Sequence, residues 1–219
     1  MFCAAGASLA AERARPATHL RSDVHRVIAA VPGALTLYDQ NSDDNGLAVL
    51  STDFDSLDSW DSYGADDFIV PAGHKWRIEA VEVSGAYNCE GCDGGPARSE
   101  SVFFYKDKKG QPGKLVAKCE AIKGADNKGS FAIQFPQSCK VGLNGGKRYW
   151  VSVVAAMDFA FGFWGWETRN TQEGKPSMWE NPGGGLNDCV SWDVMTKCQG
   201  DAGEGPDFMF ALKGKDILK

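Results

Sequence analysis

Residues 68–83 read FIVPAGHKWRIEAVEV. The apolar, β-prone run at the start of this stretch ends at Pro71-Ala72-Gly73, which is a turn signal. From Trp76 onward, apolar residues partly alternate with charged ones, as in a strand that has one face in water. The pattern predicts two strands joined by a tight turn.

Short β-prone segments of the same kind continue along the chain. They are separated by turns rich in glycine, proline, asparagine and aspartate, and they lie at residues 35–38, 102–105, 115–117, 131–135, 149–154 and 208–212. Such spacing predicts a sandwich rather than βαβ units. A closing strand near the C-terminus suits a fold in which distant strands pair. The predicted fold class is all-β: a single antiparallel β-sandwich of jelly-roll or Greek-key type, with a short N-terminal helix.

The net charge of −6 is spread unevenly over the 219-residue chain. Residues 1–33 carry four arginines against Glu12 and Asp23, so the remainder is an acidic body. An acidic body argues against nucleic-acid binding, because phosphate contacts need a basic surface. No apolar run approaches the roughly 20 residues that span a bilayer, so we expect no membrane span.

Residues 1–10 resemble the end of a signal peptide. They are small and apolar, and Ser8-Leu9-Ala10 fits the cleavage pattern before Ala11. The basic segment that normally precedes such a run is missing, so we expect the true start to lie upstream. The signal predicts that the protein is secreted or held at the cell surface.

Residues 11–33 form a basic leader. Its apolar residues recur at helical spacing and are Leu20, Val24, Val27, Ile28 and Val31. We expect one amphipathic helix, which either docks on the body or belongs to a removable pro-segment. Residues 34–219 then form the β-sandwich domain.

Six cysteines remain when Cys3, in the predicted signal remnant, is set aside. They are Cys89, Cys92, Cys119, Cys139, Cys189 and Cys198. An even number in an exported chain predicts disulfides, and the spacing favours pairing within each successive couple, although other connectivities are open. The alternative is zinc, because the first couple has CxxC spacing; a structural zinc site needs a second matching couple, which the others do not supply.

Five segments of the body resemble a family of secreted bacterial β-sandwich domains. The segments are ADDFIVPAG followed by Trp76 (residues 65–76), YWVSV (149–153), FWGW (163–166), WENPGGG (179–185) and PDFMFAL (206–212). The resemblance spans about residues 36–214 and implies a sandwich fold and export. No reaction is established for the family, so the resemblance implies little about function. The cysteines and the basic N-terminal helix are not features of that family.

Five of the seven tryptophans lie between Tyr149 and Trp192. Rings flanked by glycine and polar residues can stay partly exposed and stack on the flat apolar faces of sugars, while polar side chains read the hydroxyl groups. The predicted ligand-binding residues are Trp164, Trp166, Glu167, Arg169, Trp179, Asn181 and Trp192. The alternative is that the rings fill the core, as we expect for Trp150 in the middle of a strand.

Nine aspartates crowd into residues 39–67, where no lysine or arginine occurs. Calcium takes carboxylate and carbonyl oxygens, so the predicted cofactor is calcium. Its predicted ligands are Asp43, Asn45, Asp53 and Asp55. A true EF-hand is rejected, because Asn41 stands at the first ligand position and Thr52 stands where the bidentate glutamate belongs. The alternative is a solvated acidic loop.

No G-x-S-x-G, HExxH or P-loop motif occurs in the chain. A glycosidase needs only two carboxylates, and Asp158, Glu167 and Glu180 flank the aromatic residues. The sequence favours a secreted, non-catalytic module that binds an extracellular glycan. The alternatives are a structural or adhesive protein that self-associates or binds protein, and a glycoside-active enzyme.

Overall fold

The computed structural model describes residues 33–89, 94–187, 189–199 and 205–218, together with the backbone of residues 19–21. Its helical elements are α1 (Met195–Gln199) and two 3-10 turns, Asp58–Trp60 and Phe159–Phe161. In the described ranges, no helix has the length and hydropathy needed to cross a bilayer. The strands are β1 (His19–Arg21), β2 (Leu35–Asp39), β3 (Asp44–Leu50), β4 (Thr52–Phe54), β5 (Tyr63–Val70), β6 (His74–Val83), β7 (Gly85–Asn88), β8 (Ser99–Asp107), β9 (Pro112–Ile122), β10 (Ala125–Asn127), β11 (Ser130–Gln134), β12 (Val141–Asn144), β13 (Lys147–Met157), β14 (Phe163–Arg169), β15 (Met178–Glu180), β16 (Asp193–Val194), β17 (Asp207–Phe208) and β18 (Phe210–Leu218).

The described strands form three sheets. Sheet A has the order β1-β3-β14-β17, and β7 also pairs with β14. Sheet B has the order β10-β11-β6-β18-β2, and β12 also pairs with β6. Sheet C has the order β16-β15-β5-β13-β8-β9, and β4 pairs with β13 in parallel. The other pairs are antiparallel and the sheets pack together, which confirms the predicted all-β sandwich.

The turn within residues 68–83 carries the chain from sheet C to sheet B. Gly73 adopts a φ of +82°, and the backbone N–H of His74 donates to the carbonyl of Pro71 at 3.2 Å. In β6, Trp76 and Ile78 are buried while the residue between them is exposed. The predicted turn and the predicted alternation are therefore confirmed.

The last strand, β18, pairs with two strands from the start of the body. Leu212 lies opposite Val81 of β6 and opposite Tyr38 of β2. Phe208 and Phe210 are fully buried beside it in the main core. This confirms that the C-terminal strand pairs with strands distant in sequence.

The prediction of an N-terminal helix is wrong for the first residues of that helix. The backbone of His19–Arg21 pairs antiparallel with residues 47–49 of β3, so Leu20 lies in a strand. An edge strand offers unpaired backbone groups, and a short segment that satisfies them can override the weak preference expressed by apolar spacing. The rest of that helix, residues 22–32, and the signal remnant, residues 1–10, lie outside the described residues.

Two predicted disulfides are confirmed. Cys119 of β9 pairs with Cys139, with their Cα atoms 5.7 Å apart. Cys189 pairs with Cys198 of α1, at a Cα separation of 5.5 Å. The third predicted pair includes Cys92, which lies outside the described residues.

Candidate functional site

Three of the predicted sugar-stacking tryptophans lie in the core, so the prediction that they are exposed is wrong. Trp164, Trp166 and Trp179 are each fully buried. Their indole N–H groups donate to backbone carbonyls at 2.7–2.8 Å, so no polar edge is left for a ligand. These rings stabilise the sandwich and do not form a binding surface.

The glycines around these tryptophans create space for the rings. A Cβ added to Gly85 would lie 2.5 Å from Cε2 of the Trp164 ring, and one added to Gly64 would lie 2.9 Å from the Phe208 ring that stacks on Trp166. Glycine beside tryptophan therefore reflects close packing here, although the same composition is typical of exposed loops.

The polar residues predicted to accompany the tryptophans are also buried. Glu167 and Arg169 are almost completely buried in β14. The Asn181 amide donates to the carbonyls of Ser59 and Asp61 at 2.8 and 2.7 Å and accepts from the Leu186 N–H at 2.9 Å. Asn181 therefore joins segments of the fold and is not available to a ligand.

The four predicted calcium ligands lie in two separate places. The Asp43 carboxylate accepts hydrogen bonds from Thr171 and Asn170, and these bonds lower the pKa of Asp43. The Asn45 amide oxygen, in β3 two residues after Asp43, accepts from the Thr168 hydroxyl at 2.7 Å.

The other two predicted ligands belong to the β4 region. Asp53 lies opposite Ala156 of β13, and Asp55 forms an ion pair with Arg98. Across the part of the chain that the structure describes, no group of three histidine, cysteine or acidic residues could hold a metal ion. The predicted calcium site is therefore not formed by these residues.

A chain of aromatic rings lies on sheet C, on the face opposite the main core. Tyr63 and Phe103 have ring centroids 6.4 Å apart, Phe103 and Tyr105 are 6.5 Å apart, and Tyr105 and Trp192 are 6.0 Å apart. All four side chains are half-buried. We call these four residues the outer aromatic cluster, and Trp192 is the one predicted tryptophan that it includes.

Strand register places the rings on one face. Phe103 and Tyr105 lie two residues apart in β8 and face Ser152 and Trp150 of β13. Residues two apart on a strand point to the same side of the sheet, whereas the intervening Phe104 belongs to the main core. The buried residues beneath the cluster, which we call its floor, are therefore separate from the main core.

The floor of the cluster is small, apolar and packed. Ala65, Trp150 and Met178 are buried there, apart from the main core. The Trp150 indole N–H donates to the Asp107 carboxylate at 3.0 Å. The Ser152 hydroxyl is buried without a hydrogen-bond partner among the described residues, which is a costly arrangement for a polar group.

The carboxyl group of Glu180 borders the rings. Glu180 lies opposite Tyr63 in the β15–β5 pair and accepts a hydrogen bond from the backbone N–H of Trp192. Burial raises the pKa of Glu180 to about 7, against the opposing effect of that hydrogen bond. Burial, with the carboxylates of Asp53, Asp61 and Glu180, raises the pKa of Tyr63 to about 12. Near neutral pH, the Glu180 carboxyl can therefore either donate or accept a hydrogen bond.

The other two carboxylates considered for catalysis, Asp158 and Glu167, are part of the structural framework. Asp158 accepts from the Ala160 N–H at 2.9 Å and caps the 3-10 turn at Phe159–Phe161. Glu167 is buried in sheet A, as described above. Of the three candidates, only Glu180 borders the outer aromatic cluster.

Sequence reasoning missed Tyr63, Phe103 and Tyr105. The available signal was the spacing of Phe103 and Tyr105 in β8, which puts both rings on one face. Phe104 between them places an aromatic residue on the opposite face as well, and this hides the alternation.

No protein-family model, curated protein or solved structure matches this chain. The resemblance to secreted bacterial β-sandwich domains therefore stays a prediction, and the outer aromatic cluster is interpreted from its own geometry.

Proposed function

We propose that the protein is a secreted, non-catalytic binding module that recognises an extracellular glycan through the outer aromatic cluster. The observation that carries the proposal is the run of four half-buried rings, from Tyr63 to Trp192, with the carboxyl of Glu180 beside it. The proposed site is therefore this cluster, and not the tryptophans of the core that were predicted from the sequence.

The chemistry of the cluster suits a sugar. Pyranose rings have flat C–H faces that pack on aromatic faces, and their hydroxyl groups need hydrogen-bond partners at the edge of the contact. The Tyr63 and Tyr105 hydroxyls and the Glu180 carboxyl are the nearby groups that can supply those bonds. The proposal of export rests on the two disulfides, since such bonds persist in oxidising compartments.

A glycan array followed by titration of soluble sugars tests this function. We expect binding to a defined sugar class, with a change in tryptophan fluorescence, and a loss of about fivefold in affinity on Phe103→Ala, since an aromatic contact contributes about 1 kcal/mol. Phe161→Ala is the matched control, because Phe161 is 54% exposed and lies outside the cluster. Phe161→Ala should bind as the wild type does.

Two results would overturn the glycan proposal. One is equal binding by the wild type and Phe103→Ala. The other is a blank array combined with a size that rises with protein concentration, which would favour a structural or adhesive protein.

A glycoside-active enzyme is the second candidate, because of the raised pKa values near Tyr63. Burial raises the pKa of Glu180 to about 7 and that of Asp61 to about 6, and both carboxyls interact with Tyr63. A general acid needs such a pKa. An enzyme would release reducing ends, and the Glu180→Gln variant would lose this activity. A binding module would release no reducing ends, and its Glu180→Gln variant would still bind sugar.

A further inference from the structure

A groove of about 600 Å³ is lined by residues of sheet B and of the segment that follows β11, none of which belongs to the outer aromatic cluster. Its walls include Arg77 and Glu79 of β6, Lys215 of β18 and Lys140, which follows Cys139. These four lining residues are charged. The volume of the groove is in the range of small-ligand sites.

Positive charge predominates in this groove although the protein is acidic. Arg77, Lys140 and Lys215 supply three cations against the one carboxylate of Glu79, whereas the whole chain has a net charge of −6. Glu79 Oε1 lies 2.7 Å from Arg77 Nη2 and 3.9 Å from Lys215 Nζ. Among the described residues, Lys140 has no ion-pair partner. The groove therefore keeps cationic charge that its own carboxylate does not neutralise.

Strand register brings two of the cations together. Lys215 lies directly opposite Arg77 in the β18–β6 pair. Like charges in opposite positions of neighbouring strands destabilise a sheet, and here Glu79 lies near both cations and offsets part of the repulsion. An anion bound between Arg77 and Lys215 would relieve it.

The wall that carries Lys140 is fixed in place. The Cys119–Cys139 disulfide ties it to β9, and the backbone N–H of Cys139 donates to the Pro136 carbonyl at 2.8 Å. The backbone N–H of Phe135 donates to the Glu79 carbonyl at 2.8 Å, which holds the same segment against β6. A wall that is held before binding loses little conformational entropy when a ligand enters.

The groove also has neutral groups that suit a sugar. Phe135 and Ile78 line it as buried apolar residues, and the exposed Gln134 offers an amide. We propose that this groove binds an acidic oligosaccharide, whose carboxylate or sulfate groups pair with Arg77, Lys140 and Lys215. A long nucleic acid is disfavoured, because the acidic body would repel its backbone.

The test compares three probes on the full chain by isothermal titration. They are a heparin-derived hexasaccharide, a hexagalacturonate and the neutral cellohexaose. We expect one or both acidic probes to bind, with an affinity that falls as sodium chloride is raised, while the neutral probe does not enter the groove.

Two lysine variants test the place of binding. Lys140→Gln and Lys215→Gln should each weaken binding of the acidic probe by about tenfold, since a hydrogen bond to a charged group is lost. Lys114→Gln changes an exposed lysine of β9 outside the groove and should have no effect. Phe103→Ala should also leave acidic-probe binding unchanged, which separates this groove from the outer aromatic cluster.

Equal affinity of the Phe103→Ala variant for acidic and neutral probes, or no binding of either acidic probe, would overturn the proposal. An effect of Lys114→Gln as large as that of Lys140→Gln would do so too, because binding would then depend on general charge.

Discussion

Trp164 packs where three segments of the chain meet. Its ring centroid lies 5.3 Å from that of Phe131, and its indole N–H donates to the Gly129 carbonyl at 2.7 Å. Gly85 leaves room for the ring, as described above. The residue thus combines a large buried apolar area with a satisfied polar edge.

We expect Trp164→Ala to lower the free energy of unfolding by about 3–5 kcal/mol, because it leaves a large cavity in the core. Trp164→Phe keeps most of the ring but leaves the Gly129 carbonyl without its donor, and should cost about 1–3 kcal/mol. Urea unfolding monitored by circular dichroism measures both. Phe161→Ala, on the surface, should stay within about 0.5 kcal/mol of the wild type. A Trp164→Ala variant that kept wild-type stability but lost sugar binding would restore the original view of Trp164 as a ligand contact.

At the scale of single residues, sequence reasoning identified the tryptophans as important but not their environment. Trp164, Trp166 and Trp192 all stand in glycine-rich or polar contexts. The first two fill the core and the third stays half-exposed. Whether a tryptophan is buried or partly exposed depends on the strands that cover its ring. Those strands come from distant parts of the chain, so the residues next to the tryptophan do not show the outcome.

The glycine-rich segment 181–185 acts as a packing element. A Cβ at Gly183 would lie 2.6 Å from the Asp58 carbonyl oxygen, and one at Gly185 would lie 2.6 Å from the Ser59 carbonyl oxygen. The Asn181 amide bonds to the same region, as described above. The segment therefore lies directly against the 3-10 turn Asp58–Trp60.

We expect Gly183→Ala to destabilise the protein by about 2 kcal/mol, because the added methyl group forces the two backbones apart. Gly142→Ala is the control, since the nearest atom to its added Cβ is Lys75 Cε at 3.8 Å. Thermal unfolding of the two variants compares them. If both had the same transition temperature as the wild type, close packing of segment 181–185 would not contribute to stability.

The two confirmed disulfides constrain chain segments of different length. Cys119 and Cys139 are 20 residues apart in sequence, whereas Cys189 and Cys198 are 9 apart. Replacing both cysteines of the first pair with alanine should lower the free energy of unfolding by about 3 kcal/mol, through the greater entropy of the unfolded chain. Replacing the second pair should cost slightly less. Urea unfolding checks the order, and a larger loss for the second pair would contradict an explanation by loop entropy.

At the scale of elements, the local pattern was informative where one face of a strand meets water. In β6, the alternation of Trp76 and Ile78 with charged residues is visible in the sequence and matches the structure. Around Leu20, apolar residues at helical spacing suggested a helix, yet pairing with β3 makes residues 19–21 a strand. Pairing with a partner far along the chain does not appear in a local pattern.

Across the whole molecule, several carboxyl groups are buried without enough hydrogen bonds or opposite charges to offset their loss of hydration. Asp66 accepts hydrogen bonds from the Gln40 amide at 2.8 Å and the Phe208 N–H at 2.7 Å, close to the buried Asp207 and Arg169. Among the described residues, Asp207 Oδ1 and Arg169 Nη1 have no hydrogen-bond partner. Burial is the main cause that raises the pKa of Asp66 well above its ordinary value, with the Asp207 charge second. The folded protein therefore holds protons that the unfolded chain would release.

This storage of protons predicts that stability falls as pH rises. Burial raises the pKa of Glu100, Glu180 and Asp207 to about 7, whereas these groups ionise near 4 in an unfolded chain. The folded state thus binds more protons between about pH 4.5 and 7, and the free energy of unfolding decreases across that window. Urea unfolding at several pH values measures the slope, and Glu180→Gln should make it shallower by removing one of the groups. A free energy of unfolding that increased from about pH 5 to 7 would mean that these carboxyls are ionised and paired in the folded protein.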